Sequence, residues 1–198
     1  MNADKRRSMV ALAFAALVLP AALASAAEVA GVTLADTESV APGAPPLVLN
    51  GAGLRKRAFF QVYAIGLYLP QKKAGGAEAI AAPGPKRVAI HMLRDVAADQ
   101  FTDALVEGMR NNNNEAQMKA LEPRIAQLSA IMAEMKEARK GMRITLDQVA
   151  GGTQVTVEGK AAGKPIAGED FYRALLGIWL GDKPVQDDLK RALLGGAQ

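Results

Sequence analysis

One stretch of the chain is apolar at nearly every position, and it constrains the fold more than any other feature. Phe59 to Leu69 is rich in aromatic and β-branched residues, which is typical of a long strand, and Pro70 ends it. Successive side chains of a strand point to opposite faces, and here both the odd and the even positions are largely apolar. We therefore expect this strand to be covered on both faces.

The segments around this strand predict further strands and then helices. Short apolar runs predict strands over Glu28–Leu34 and Leu47–Asn50 before the long strand, and over Lys86–Leu93 after it. Between the second of these and the long strand, the basic run Arg55–Arg57 predicts an exposed or site-facing turn. Apolar residues at helical spacing then predict a helix over Asp95–Arg110.

The second half of the chain opens with the strongest helical pattern. Glu115–Lys140 carries a methionine-rich apolar stripe, which we assign to the core, and Pro123 is expected to kink or interrupt its first part. Beyond it we predict a glycine hairpin over 143–158 and a short edge segment over 164–166. An apolar helix that carries Phe171 to Trp179 follows the cap at Gly168–Asp170, and a short terminal helix covers 185–194. The order of elements along the chain is strands, a helical block, and then strands and helices. This order indicates an α+β fold with helices on one antiparallel sheet.

The first 26 residues have the parts of a cleavable signal peptide. Lys5, Arg6 and Arg7 form a basic start, and the uncharged run from Met9 to Leu23 is too short to span a bilayer, which needs about 20 apolar residues. Small residues at Ala24–Ala26 complete the cleavage pattern. We therefore divide the chain into a leader, 1–26, and one domain, 27–198. We expect this domain to have no membrane span and to be periplasmic or secreted.

Composition excludes several classes of chemistry and of partner. The chain has no cysteine and one histidine, which rules out a thiol nucleophile and a Cys/His zinc site, and we expect neither a metal nor a cofactor. His91 lies in an apolar strand segment, so we interpret it as a packed residue. The net charge is +4, of which the leader supplies +2, and the basic residues form no long stripe. Nucleic acid is therefore not an expected partner.

Two separated motifs resemble the chalcone isomerase family. Gly51-Ala-Gly-Leu-Arg55, followed by the strand Val62–Leu69, is similar to that family's glycine-arginine hairpin and the strand after it. Phe171–Asp182, with Pro184-Val185, is similar to its C-terminal helix and turn. The resemblance covers roughly 29–194 and is closest to exported bacterial chalcone isomerase-like proteins. It implies an open-faced β-sandwich, in which a large antiparallel sheet carries helices packed on one face.

The residues that the resemblance aligns with the isomerase machinery are mostly unable to do its chemistry. The family's arginine falls on Arg55, its threonine on Tyr63, its tyrosine near Phe101, its asparagine near Gly108 and its last hydroxyl near Ile178. The arginine alone is kept, and a phenylalanine cannot donate a hydrogen bond to a developing enolate. We therefore expect no measurable conversion of chalcones to flavanones.

The resemblance implies a different site, for a carboxylate. The plant fatty-acid-binding branch of the fold holds a carboxylate with an arginine and a tyrosine, and Arg55 and Tyr63 resemble that pair. A guanidinium can bind a carboxylate with two hydrogen bonds, and a phenol can add a third. The apolar residues that could enclose the tail of such a ligand are Phe101, Leu105, Ile178 and Trp179.

Three functions are therefore open at this point. The first is a non-catalytic binding protein for a fatty acid or a similar apolar carboxylate. The second is an isomerase, an intramolecular lyase, that acts on a phenolic or enone substrate through Arg55 and Tyr63. The third is a protein-interaction module built on the methionine-rich helix. The sequence does not indicate an oligomeric state.

The leader gives the first testable prediction. Protein recovered from the cell envelope should begin at or near Ala27, because Ala24-Ser25-Ala26 is the cleavage pattern. N-terminal sequencing measures this directly. Intact Met1 in the membrane fraction would show instead that the apolar run is an anchor.

Overall fold

A computed structural model describes residues 26–196, so nearly all of the predicted leader lies outside the described residues. The strands are β1 (Ala26–Val29), β2 (Val32–Ala35), β3 (Thr37–Glu38), β4 (Leu47–Arg57), β5 (Phe60–Leu69), β6 (Lys86–Met92), β7 (Val96–Ala97), β8 (Glu137–Ala138), β9 (Arg143–Val149), β10 (Gly152–Val157) and β11 (Lys160–Ala167). The helices are α1 (Gly76–Ala81), α2 (Ala98–Asn112), α3 (Glu115–Ala133), α4 (Glu169–Leu180) and α5 (Asp187–Leu193).

A seven-stranded antiparallel sheet forms the centre of the domain. Its strand order is β11-β10-β9-β6-β5-β4-β3, so the long apolar strand β5 lies between β4 and β6. Alternate β5 side chains, among them Ile65 and Leu67, enter a core that is shared with the helices. Tyr68 enters a second, smaller core on the opposite face, which the β1–β2 hairpin covers through Leu34 and its neighbours. The expectation that this strand is covered on both faces is confirmed from Tyr63 to Leu69, whereas Phe59 and Phe60 at its start are exposed.

The helices pack on one face of the sheet, which confirms the predicted α+β architecture. Each of α1–α5 contributes buried side chains to the larger core. The methionine-rich helix is shorter than predicted, because Lys136 takes a left-handed conformation (φ 61°) and the next two residues form β8. Pro123 lies inside α3 without ending it, since Leu121 and Leu128 on either side are buried and hold the helix to the core.

Strand β4 is longer than the sequence indicated. Arg55–Arg57, predicted as a turn, continues the strand that begins at Leu47, with irregular pairing to β5 near Gly51 and again after Arg55. A Cβ at Gly51 would collide with the carbonyl oxygen of Ala192, so glycine lets α5 lie directly against β4. The close contact between α5 and β4 therefore explains why residue 51 is a glycine. The hydropathy of the strand gives no sign of this requirement.

A buried ion-pair network lies on the face of the sheet away from the helices. Arg87 donates from Nε and Nη2 to the two carboxylate oxygens of Asp147, both at 2.7 Å, and from Nη1 to Glu38 at 2.7 Å. Arg143 also pairs with Glu38. Burial raises the pKa of Asp147, and the hydrogen bonds from Arg87 oppose that shift. The network links β3, β6 and β9, so each charge depends on its partners to stay buried.

Two bidentate arginine–aspartate pairs allow a matched test of this dependence. Arg87→Ala should lower the free energy of unfolding by about 3–5 kcal/mol, because it leaves the buried Asp147 carboxylate without its main partner. Arg124→Ala breaks the pair with Asp170, whose side chain is largely exposed, and should cost about 1 kcal/mol or less. Urea unfolding of both variants compares them. Equal losses would mean that the burial of the Arg87–Asp147 pair does not determine its contribution to stability.

Candidate ligand-binding cleft

A cleft of about 960 Å³ opens between the β4–β5 hairpin and the helices. Its size lies within the range of small-molecule sites in proteins. The hairpin forms one wall, α2 the opposite wall, and the end of α4 with the following turn closes the back. Five of the predicted site residues line it: Arg55, Tyr63, Phe101, Leu105 and Ile178.

Arg55 and Tyr63 face each other across the hairpin. They are direct partners in the register of β4 and β5, so their side chains project to the same face of the sheet. Arg55 is half-buried, and its Nη1 donates to the carbonyl oxygen of Lys56 and, at 3.3 Å, to Oε1 of Gln186. A guanidinium has five N–H donors, so others remain for a ligand. Strand pairing thus brings together the two polar residues that the sequence proposed.

The Tyr63 hydroxyl is buried and is held from behind by Trp179. The indole Nε1 donates to the phenol oxygen at 3.0 Å, which leaves the phenol's own proton to be donated elsewhere. Burial raises the pKa of Tyr63, while the hydrogen bond from Trp179 and the charge of Arg55 partly offset that rise. The hydroxyl therefore stays protonated at neutral pH and can act as a hydrogen-bond donor.

Trp179 takes a different place from the one that the sequence suggested. It was predicted among the residues around the ligand tail, but it is fully buried in the core and does not line the cleft. On a helix, adjacent residues point in directions about 100° apart, so Ile178 can face the cleft while Trp179 faces the core. Its contribution is to position Tyr63.

The cleft floor is apolar where an isomerase would carry polar groups. Phe101 stands edge-on to the Tyr63 ring, with ring centroids 6.3 Å apart and planes at 87°. A Cβ at Gly108 would lie 2.7 Å from Cγ2 of Ile178, so α2 and α4 are too close there for an asparagine without a shift. Phe101 and Ile178 add no hydrogen-bonding group of their own. The side chains at these positions therefore exclude water rather than stabilise an oxyanion.

Gln186 is a functional candidate that sequence reasoning missed. Its Nε2 donates to the carbonyl oxygen of Leu54 at 3.1 Å, and its Oε1 accepts from the backbone N–H of Lys56 at 2.8 Å. The amide thus pairs with the strand on both sides of Arg55 and also contacts the arginine itself. Gln186 lies within the span of the resemblance, directly after Pro184-Val185, which was the available signal. We interpret Gln186 as a positioning residue for Arg55.

Charges are divided between the two walls of the cleft. Arg57 and Arg94 lie with Arg55 on the hairpin side, whereas Asp103 and Glu107 lie on α2. Within residues 26–196, neither Asp103 nor Glu107 forms a salt bridge with these arginines. An anionic group entering the cleft is therefore attracted to the hairpin side and repelled by the α2 side. Within the same residues, no cluster of histidine, aspartate and glutamate is arranged to hold a metal ion.

The Tyr63–Trp179 contact gives a prediction about stability. Tyr63→Phe should lower the free energy of unfolding by about 1–3 kcal/mol, because it leaves the buried indole N–H without an acceptor. In a Trp179→Phe background the same change should cost much less. Urea unfolding of the two single variants and the double variant measures this coupling. Additive losses would show that the hydrogen bond contributes nothing.

Comparison with known proteins agrees with this fold. No curated protein sequence matches the chain. Among solved structures, a fatty-acid binding protein of Arabidopsis thaliana is similar, with a TM-score of 0.59 over 80% of this chain and 95% of that one. The two sequences are 13% identical, so the likeness is one of fold. A family model described as chalcone isomerase-like matches residues 26–195, almost the whole described part. The chain therefore belongs to the chalcone isomerase-like family.

Proposed function

We propose that this protein binds a fatty acid or a similar apolar carboxylate in the cleft, without converting it chemically. The observation that carries the proposal is the Arg55–Tyr63 pair, two donors on one face of the hairpin, directly above an apolar floor. A protein of similar fold from Arabidopsis thaliana, which is named a fatty-acid binding protein, supports it.

Each part of the ligand has a matching part of the cleft. The guanidinium of Arg55 would bind the carboxylate through two N–H donors, and the Tyr63 proton would add a third hydrogen bond. Gln186 and Trp179 hold these two side chains in place, so little side-chain freedom is lost on binding. The tail would lie along Phe101, Leu105 and Ile178, which are buried and apolar.

The same geometry supports catalysis less well than it supports binding. Rate enhancement of a ring closure would need donors placed at the developing oxyanion, and losing one such donor typically costs about 10²–10³ in rate. The side chains at Phe101, Gly108 and Ile178 supply none. The interaction-module alternative is less favoured, because Leu128 and Met132 of the methionine-rich helix are buried in the core and so do not face a partner.

The place of action is part of the proposal. The signal-peptide pattern of residues 1–26 supports export, so we place the binding protein in the periplasm or outside the cell. Within residues 26–196 no helix is both long enough and apolar enough to cross a membrane. A carrier of this kind would shield the tail of its ligand from water.

Titration calorimetry with dodecanoate tests the carboxylate site. Arg55→Ala should weaken binding by about 1.5–3 kcal/mol, the usual contribution of a charge-assisted hydrogen bond, and Tyr63→Phe by about 0.5–1.5 kcal/mol. The methyl ester should bind the wild type more weakly than the acid, and this difference should shrink in Arg55→Ala.

Lys56→Ala is the matched control, because its exposed side chain does not line the cleft. It should bind the acid like the wild type. Unfolding of Tyr63→Phe measured alongside separates a local loss of binding from a loss of folded protein. Equal affinity of the wild type for acid and ester would eliminate the carboxylate clamp.

A further inference from the structure

The apex of the β4–β5 hairpin exposes two aromatic side chains to solvent. Phe59 is 100% exposed and Phe60 is 58% exposed, and they are the large hydrophobic residues on the surface of the described part of the chain. From Tyr63 onward the same strand is buried, so the exposure is confined to its first residues. Two adjacent exposed rings at one tip are a feature that the binding of a small ligand in the cleft does not explain.

Basic side chains surround these rings. Lys56 and Arg57, the last two residues of β4, belong to the apex and are exposed. Arg94, which follows β6, places its guanidinium carbon 4.5 Å from the centroid of the Phe60 ring, so a cation and an aromatic ring are presented together. The nearby Asp95, which also lines the cleft, accepts a hydrogen bond on its carboxylate from the backbone N–H of Lys140 at 2.7 Å. The apex is thus both aromatic and cationic.

The apex also adjoins the cleft. Arg57, Ala58, Phe60 and Arg94 belong to the apex and line the cleft as well. A surface in contact with the apex would therefore lie against the opening through which a ligand enters. Phe59 is at the tip but does not line the cleft, so it allows the two roles to be separated.

We propose that this apex docks on the surface of a phospholipid bilayer that contains anionic headgroups. Phe59 and Phe60 would enter the boundary between headgroups and acyl chains, while Lys56, Arg57 and Arg94 would contact phosphates. This combination of aromatic rings with cations is the chemistry of peripheral membrane binding. The inference rests on the proposed function in one respect: it assigns the membrane as the place where an apolar acid enters or leaves the cleft.

Co-sedimentation with vesicles tests the proposal. The protein isolated from the cell envelope should bind vesicles of phosphatidylcholine mixed with phosphatidylglycerol, and bind vesicles of phosphatidylcholine alone much more weakly. Phe59→Ser should weaken binding to the mixed vesicles about tenfold, since a buried phenylalanine is typically worth that much or more. Lys56→Gln should weaken it about fivefold, and added salt should weaken it further.

Lys160→Gln is the matched control for charge. Lys160 is an exposed lysine at another hairpin turn, between β10 and β11, and removing it should leave vesicle binding nearly unchanged. Equal losses for Lys56→Gln and Lys160→Gln would show only a general effect of net charge and would overturn the assignment of the apex. So would wild-type affinity for mixed vesicles in Phe59→Ser.

Two further measurements distinguish the remaining outcomes. If Phe59→Ser converts a dimer to a monomer in analytical ultracentrifugation and vesicle binding is absent, the apex is a contact between two copies and the proposal fails. Calorimetry with dodecanoate should give the same affinity for Phe59→Ser as for the wild type. Vesicle binding without dodecanoate binding would contradict the proposed function while leaving the docking surface in place, and the reverse result would contradict docking alone.

Discussion

The antiparallel pairing of β4 with β5 is the interaction on which both the fold and the cleft depend. It buries a strand that is apolar on both faces, with helices on one side and the β1–β2 hairpin on the other. The same register places Arg55 opposite Tyr63 on the helix-facing side. A shift of one residue would turn the Tyr63 position to the opposite face and separate the pair. The stability of the core therefore also fixes the geometry of the polar site.

The polar residues of the cleft are held by partners that a ligand would not touch. Trp179 donates to the Tyr63 hydroxyl from inside the core, and Gln186 bonds to the strand on either side of Arg55. The hydrogen bond from Trp179 satisfies the phenol oxygen and leaves only the proton to find an acceptor.

Charge and apolar surface are distributed unevenly over the molecule. Arg87 and Asp147 are buried on the face away from the helices, and together with the partly buried Glu38 they link strands of the sheet. At the hairpin apex, by contrast, cations and exposed aromatic rings stand side by side next to the cleft. The charges of the buried network are paired with one another. The cations and rings of the apex, by contrast, are available to a partner outside the protein.

The sequence by itself determined which strand must be covered on both faces, the α+β class and the family, because these follow from local patterns and motifs. It also proposed Arg55 and Tyr63 through the resemblance, because the matching motif holds both positions within one hairpin. Only the tertiary structure decided that Trp179 supports Tyr63 from the core and that Gln186 holds Arg55. Those contacts join residues more than a hundred positions apart, so no local pattern of hydropathy or spacing specifies them.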